Sequence, residues 1–122
     1  MRIPGILMAL FLSLLFSCTS NTEYYNEIVG EWNCTSWTAE SSTEDKCNDN
    51  AYFKFNEDRT YVSKLGIEED EGTYKIERGK LIAQPEGKMV IGVKIIHLEN
   101  GSMELLMNNG GVMETLKLKR IN

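Results

Sequence analysis

Apolar and polar positions divide the chain into two unlike parts. From Ile3 to Phe16 the residues are almost wholly apolar, interrupted only by Pro4, Gly5 and Ser13. From Ile28 onward, apolar and polar residues alternate in short segments, the period-two pattern of strands with one buried face. IVGEWNCTSW (28–37) alternates and is rich in β-formers, and a polar stretch, 38–50, separates it from AYFKF (51–55), where Phe53 and Phe55 share a face. NEDR (56–59) turns the chain into TYVSKL (60–65), and an acidic connection, 66–71, leads to GTYKIE (72–77), with Tyr74 and Ile76 on one side. The segments LIAQ (81–84), MVIGVKIIHL (89–98), MELLM (103–107) and VMETLKLKR (112–120) follow, parted by RGK, PEGK, ENGS and NNGG. Glycine, proline and asparagine stand in those partings where tight turns need them. Eight strands joined by tight turns, with no helical crossover, must be antiparallel to their neighbours. The pattern therefore predicts an all-β fold, an antiparallel up-and-down eight-stranded barrel, because closure removes exposed sheet edges. An open two-sheet sandwich is the competing architecture.

The N-terminal apolar run follows Met1 and Arg2 and has the length of a secretory core segment. It falls short of the roughly 20 residues a membrane-spanning helix needs. It ends in Leu15-Phe16-Ser17-Cys18, which resembles the lipobox of bacterial lipoproteins, with Phe16 a departure from the small residue usual there. The competing reading is an ordinary cleaved signal peptide with Cys18 near the cut. The resemblance implies a lipid-modified Cys18 at the mature N-terminus, and two or more acyl chains anchor stably. It divides the chain into a signal peptide (1–17), a lipidated tether (18–26) with room for one helical turn, and a barrel domain (27–122). The partner so implied is a membrane, reached through the lipid, at the bacterial cell envelope. Thr19 is not the aspartate that retains enteric lipoproteins in the inner membrane, which points to the outer membrane.

Composition narrows the function. All 18 acidic residues and 12 of the 13 basic ones follow position 17, giving that part a formal charge of −6. No basic stripe exists, so nucleic acid is an unsuitable partner. Cys34 and Cys47 remain once Cys18 is assigned, and two cysteines in an exported protein most often pair. The bridge would close a loop of about 14 residues and stabilise by ~3 kcal/mol in the chain-entropy model. A metal pair or a redox site is the alternative, but there is no CxxC and His97 is the only histidine. No metal or other cofactor is called for by any residue cluster. The acidic run Glu68, Glu69, Asp70 and Glu71 lacks the alternate-position spacing and glycine of a calcium loop and reads as a solvated face.

The ordered segments together resemble a family. Gly30-Glu31-Trp32 begins the first strand, Phe55-Asn56-Glu57-Asp58-Arg59-Thr60-Tyr61 spans the second and third, Gly72-Thr73-Tyr74-Lys75-Ile76 follows, and the last strand ends Leu118-Lys119-Arg120. In this order, behind a lipobox, they resemble the small lipocalin-like (calycin-type) domains common in lipoproteins of Bacteroidetes-type bacteria. The resemblance covers residues 24–122. The domain is shorter than a full lipocalin and has no C-terminal helix. Physically, Gly30 lets the chain bend tightly, Trp32 plugs the closed end, and Arg120 lies over the Trp32 indole if first and last strands meet, a cation–π contact of ~0.5–2 kcal/mol.

Tyr52, Phe53, Phe55, Tyr61, Tyr74, Ile76, Ile91 and Val93 are the candidate lining of an interior. Barrels of eight strands either fill that interior with side chains or leave room for one small ligand. A short chain favours a mostly filled core with a small pocket at the open end. Two functions follow: a binding module for a small apolar ligand, or an envelope interaction module with a filled barrel. No constellation of nucleophile, base and orienting group marks an enzyme.

Overall fold

A computed structural model describes residues 20–47 and 51–122. Cys18, the expected signal peptide (1–17) and the start of the expected tether lie outside the described residues. Helix α1 (Ser20–Ile28) leads into β1 (Gly30–Ala39), and seven more strands follow: β2 (Ala51–Phe55), β3 (Thr60–Leu65), β4 (Glu68–Glu77), β5 (Lys80–Pro85), β6 (Ile91–Glu99), β7 (Ser102–Asn109) and β8 (Val112–Arg120). Each pairs antiparallel with the next, and β8 returns to β1, so the sheet is a closed barrel in sequence order. The sandwich alternative is thereby removed.

Besides shifts of one or two residues at several strand ends, three places depart from the sequence expectation. The helix before β1 is longer than the one turn expected: α1 runs nine residues and takes in Ile28, so β1 starts at Gly30. The acidic stretch is not a connection. Glu68–Glu71 extend β4 and pair with Val62–Leu65, leaving only Gly66 and Ile67 in the turn. Met89 and Val90 precede β6 rather than begin it.

Strand alternation sorts the side chains. Trp32, Phe55, Tyr61, Tyr74, Ile76, Leu81, Val93, Ile95, Leu105, Leu116 and Leu118 point inward and are buried, and Ile28 of α1 and Met103 join them. Lys117 and Lys119, alternating with Leu116 and Leu118, point outward. Bulges between Cys34 and Ser36 in β1, and between Ile95 and His97 in β6, shift the phase by one residue. The first re-aims Trp37 toward the interior. The core draws on α1 and all eight strands and leaves no open sheet edge, so residues 20–122 form a self-contained folding unit.

Two glycines are required by geometry. Gly30 has φ +138°, and a Cβ there would lie 2.7 Å from the Asn122 carbonyl oxygen. At Gly72 a Cβ would stand 1.9 Å from the Gln84 carbonyl oxygen, where β4 and β5 come together.

Candidate functional site

The two ends of the barrel are built differently. The end carrying the 56–59, 78–79 and 100–101 turns is sealed by α1. Tyr25 of that helix accepts a hydrogen bond from the Ile76 amide at 2.8 Å, and the Arg59 guanidinium lies 3.7 Å over its ring. Tyr74 donates to the Asn56 carbonyl at 2.8 Å, and burial pushes its phenol up. Trp32 is fully buried, and its Nε1 donates to the Ile28 carbonyl at 2.8 Å, tying the last turn of α1 to β1. The Arg120 guanidinium sits 5.0 Å from the centre of the Trp32 ring. It lies 4.0 Å from Glu27, whose carboxylate also accepts from the Gly101 amide at 3.0 Å.

Above this plug the interior is solid. Ile28, Trp32, Met103 and Leu116 have no surface that a water molecule can touch, so no water-sized void borders them. Phe55 stacks on Phe53 at 5.8 Å and meets Tyr74 edge-on at 5.0 Å. Shallow open grooves run on the outer wall instead, one of them along Thr60–Val62 and Glu71–Thr73.

The opposite end is the mouth. Four of its inward apolar groups, Trp37, Phe53, Ala83 and Met107, are only half-buried and pack against the core from above, while Ala51 and Pro85 beside them are buried. The one buried acid among the described residues, Glu114, is here, in phase with Leu116 and Leu118 on β8 and 3% exposed. Its carboxylate accepts from Trp37 Nε1 at 3.0 Å and from Lys46 Nζ at 2.7 Å. The Lys46 and Trp37 bonds hold it below its usual range against the opposing cost of burial. Lys46 also lies 5.5 Å over the Trp37 ring. It is delivered by the β1–β2 loop, which folds back along β1. Asp45 Oδ1 accepts from the Trp37 and Cys47 amides, each at 2.9 Å, and Cys34 and Cys47 form a disulfide with Cα atoms 5.8 Å apart. The staple thus sets Lys46 in place over Glu114.

Of the eight candidate lining residues, Phe55, Tyr61, Tyr74, Ile76 and Val93 are buried in the filled core and Phe53 reaches the mouth. Two differ. Tyr52 faces outward, because Ala51, Phe53 and Phe55 take the inner positions of β2; its hydroxyl donates to Glu31 at 2.5 Å. Burial, and then that carboxylate, push the Tyr52 phenol up to about 12. Ile91 shares the inward phase of Val93 but lies at the rim, 49% exposed. His97 lies at the β6 bulge, 3.6 Å from Glu99 and remote from the mouth. Among the described residues no group of three or more histidine, cysteine or acidic side chains is placed to hold a metal ion.

A closed antiparallel barrel of eight strands, plugged at one end and open at the other, defines the lipocalin-like class of fold. The family model for the lipocalin-like domain matches residues 28–105, well over half of the chain, and the chain belongs to that family. The match stops short of β8, so Glu114 and Arg120 lie beyond it. Among curated proteins, none matches the chain in sequence.

Proposed function

We propose that the protein is a lipid-anchored lipoprotein of the bacterial cell envelope, of the kind found in Bacteroidetes-type bacteria, whose mouth binds a small apolar ligand. The observation that carries the ligand is the contrast along the barrel axis. The lower interior is solid, while Trp37, Phe53, Ala83 and Met107 at the mouth are half-buried. Apolar groups left partly wet above a rigid floor gain most from a ligand that covers them. The filled floor limits that ligand to a small molecule or to the end of a longer one. The anchor is supported by the lipobox-like run ending at Cys18 and by the position of α1. The chain reaches the barrel at its closed end, so an anchor at Cys18 turns the mouth away from the membrane it is held to. The outer membrane is the proposed location.

Native mass spectrometry on residues 20–122 purified from a bacterial periplasm tests the ligand. A co-purifying small mass that leaves on denaturation supports it. An apo mass that persists after adding lipids and haem-like compounds refutes it. Metabolic labelling with a tagged palmitate tests the anchor: Cys18→Ala should lose both the label and the membrane fraction.

A second reading has its own observation. A solid interior with exposed apolar groups at the rim suits a barrel that docks another envelope protein. Ile67 at the β3–β4 turn is wholly exposed, and Met89, Val90 and Ile91 are 87%, 57% and 49% exposed. In-cell cross-linking from a photoreactive residue at position 67 tests it. A discrete adduct supports docking, and none supports the ligand alone.

A further inference from the structure

We infer that the rim of the mouth is a docking surface for a basic amphipathic polypeptide segment of a partner; this rests on the docking reading above. Single exposed aliphatic residues are ordinary, but Ile67, Met89, Val90 and Ile91 occupy two adjoining tips on one side of the mouth. The tips are held together. Lys88 Nζ bonds Asp70 at 2.6 Å, Gln84 Nε2 donates to the Lys88 carbonyl at 2.7 Å, and the Glu86 amide donates to the Glu71 carbonyl at 2.8 Å. The 86–90 loop is thus pinned to β4 and presents its apolar side chains on a fixed frame. Binding there costs little ordering of the loop.

The border of this patch is predominantly acidic. Glu68, Glu69, Glu71 and Glu86 are exposed around it. Lys88 is already taken up by Asp70, and Lys64 stands opposite Glu69 in register. Counting those five acids and two lysines, the border has a formal charge of −3. An aliphatic centre with an acidic border is complementary to a segment with apolar residues on one face and lysine or arginine along its edges. Met89 adds a side chain that adapts to varied apolar partners. The same border repels an anionic lipid surface. It also repels a second copy of itself, since a two-fold contact would set like charges together. A basic chain is the occupant that satisfies both parts of the surface.

The test uses residues 20–122 and fluorescein-labelled helical peptides of about four turns with a leucine face and a lysine face. Two control peptides replace every lysine with glutamine or with glutamate. Anisotropy titrations are run at low and at physiological salt. The lysine peptide should bind about tenfold or more tighter than the glutamine peptide, weaken as salt rises, and outbind the glutamate peptide further still. I67S/M89S should weaken the lysine peptide about tenfold, and E68Q/E71Q/E86Q should bring it to the glutamine level, with melting temperatures unchanged. If the glutamine peptide binds as tightly through Ile67 and Met89, docking stands and the basic partner is wrong. If no peptide binding responds to I67S/M89S, the docking surface itself is wrong.

Discussion

Replacing Trp32 by alanine should cost more than any other single truncation in the barrel. The indole is fully buried at the closed end, holds the Ile28 carbonyl through Nε1 at 2.8 Å, and carries the Arg120 guanidinium over its face. Truncating a buried tryptophan costs about 3–5 kcal/mol from lost burial and the cavity it leaves. Losing the Nε1 bond removes about 1 kcal/mol more and frees the last turn of α1. Arg120 loses its ring and remains with Glu27 at 4.0 Å, a loss of ~0.5–1 kcal/mol. These effects overlap, so about 4–6 kcal/mol is the expected sum, set against a total stability of about 5–15 kcal/mol for a domain. At about 4–8 °C per kcal/mol for a domain of this size, the melting point should fall by roughly 15–50 °C. Urea and thermal unfolding of residues 20–122, followed by circular dichroism and by Trp37 fluorescence, measure it. Trp32→Phe keeps most of the apolar volume but not the donor, and should lose only about 1–2 kcal/mol. A W32A variant that melts within a few degrees of the wild type would refute the plug: Trp32 would then be a passive core residue whose space the neighbours fill.

Three other perturbations test the mouth and the sheet. Glu114→Gln should lower stability at neutral pH by about 1–2 kcal/mol, at the low end because Lys46 is 39% exposed and its charge is screened. The folded carboxyl lies below its usual 4.5, so its contribution is present above that value and is lost as pH falls through the folded pKa. Urea midpoints of wild type and variant should therefore differ at pH 7 and converge on acidification below about 4.5, and a gap that stays constant would discard the ion pair as its cause. Removing the staple with C34S/C47S should cost ~3 kcal/mol, and Trp37 emission should shift to the red as Lys46 leaves Glu114; unchanged emission would separate the staple from the mouth. Gly72→Ala should lose at least about 2–3 kcal/mol, because the new methyl meets the backbone of Gln84 at 1.9 Å, which no rotamer relieves. Wild-type expression and melting of that variant would show that β4 and β5 separate more readily than their pairing suggests.

The barrel was legible because two local signals agreed over most of its length. In β2, β3 and β8 alternation and turn residues mark the same boundaries, and the strands begin and end where the sequence predicts. The acidic stretch misled because four carboxylates in a row resemble a loop. What decides its conformation is pairing with β3 and the placement of Asp70 beside Lys88, residues 18 apart in sequence. Helix α1 was illegible for a related reason. SNTEYYNEI has no apolar stripe of its own, and its position comes from tertiary contacts: Tyr25 with Ile76, Ile28 in the core, Trp32 from below. Glu114 carried a signal that went unused. It is in phase with Leu116 and Leu118, so alternation alone places it inside. Its partners Lys46 and Trp37 lie 68 and 77 residues away in sequence, and nothing local pairs them.

The last strand joins the two ends into one design. β8 supplies Arg120 at the plug, Leu118 and Leu116 in the floor, and Glu114 at the mouth, all on alternating or adjoining positions of nine residues. An inward carboxylate among aliphatic neighbours is costly unless it is met by donors. Here Trp37 donates from β1 and Lys46 from the loop that the disulfide fixes, so the shape of the mouth depends in part on that loop being in place. The closed end has no such dependence, since its apolar packing, its hydrogen bonds around Trp32 and Tyr25 and its Arg59, Arg120 and Glu27 contacts do not involve that loop. Opening the staple should therefore alter what the mouth binds before it unfolds the barrel. That ordering suits a ligand site at the mouth: the part that covers the ligand depends on the staple, while the barrel that holds it does not.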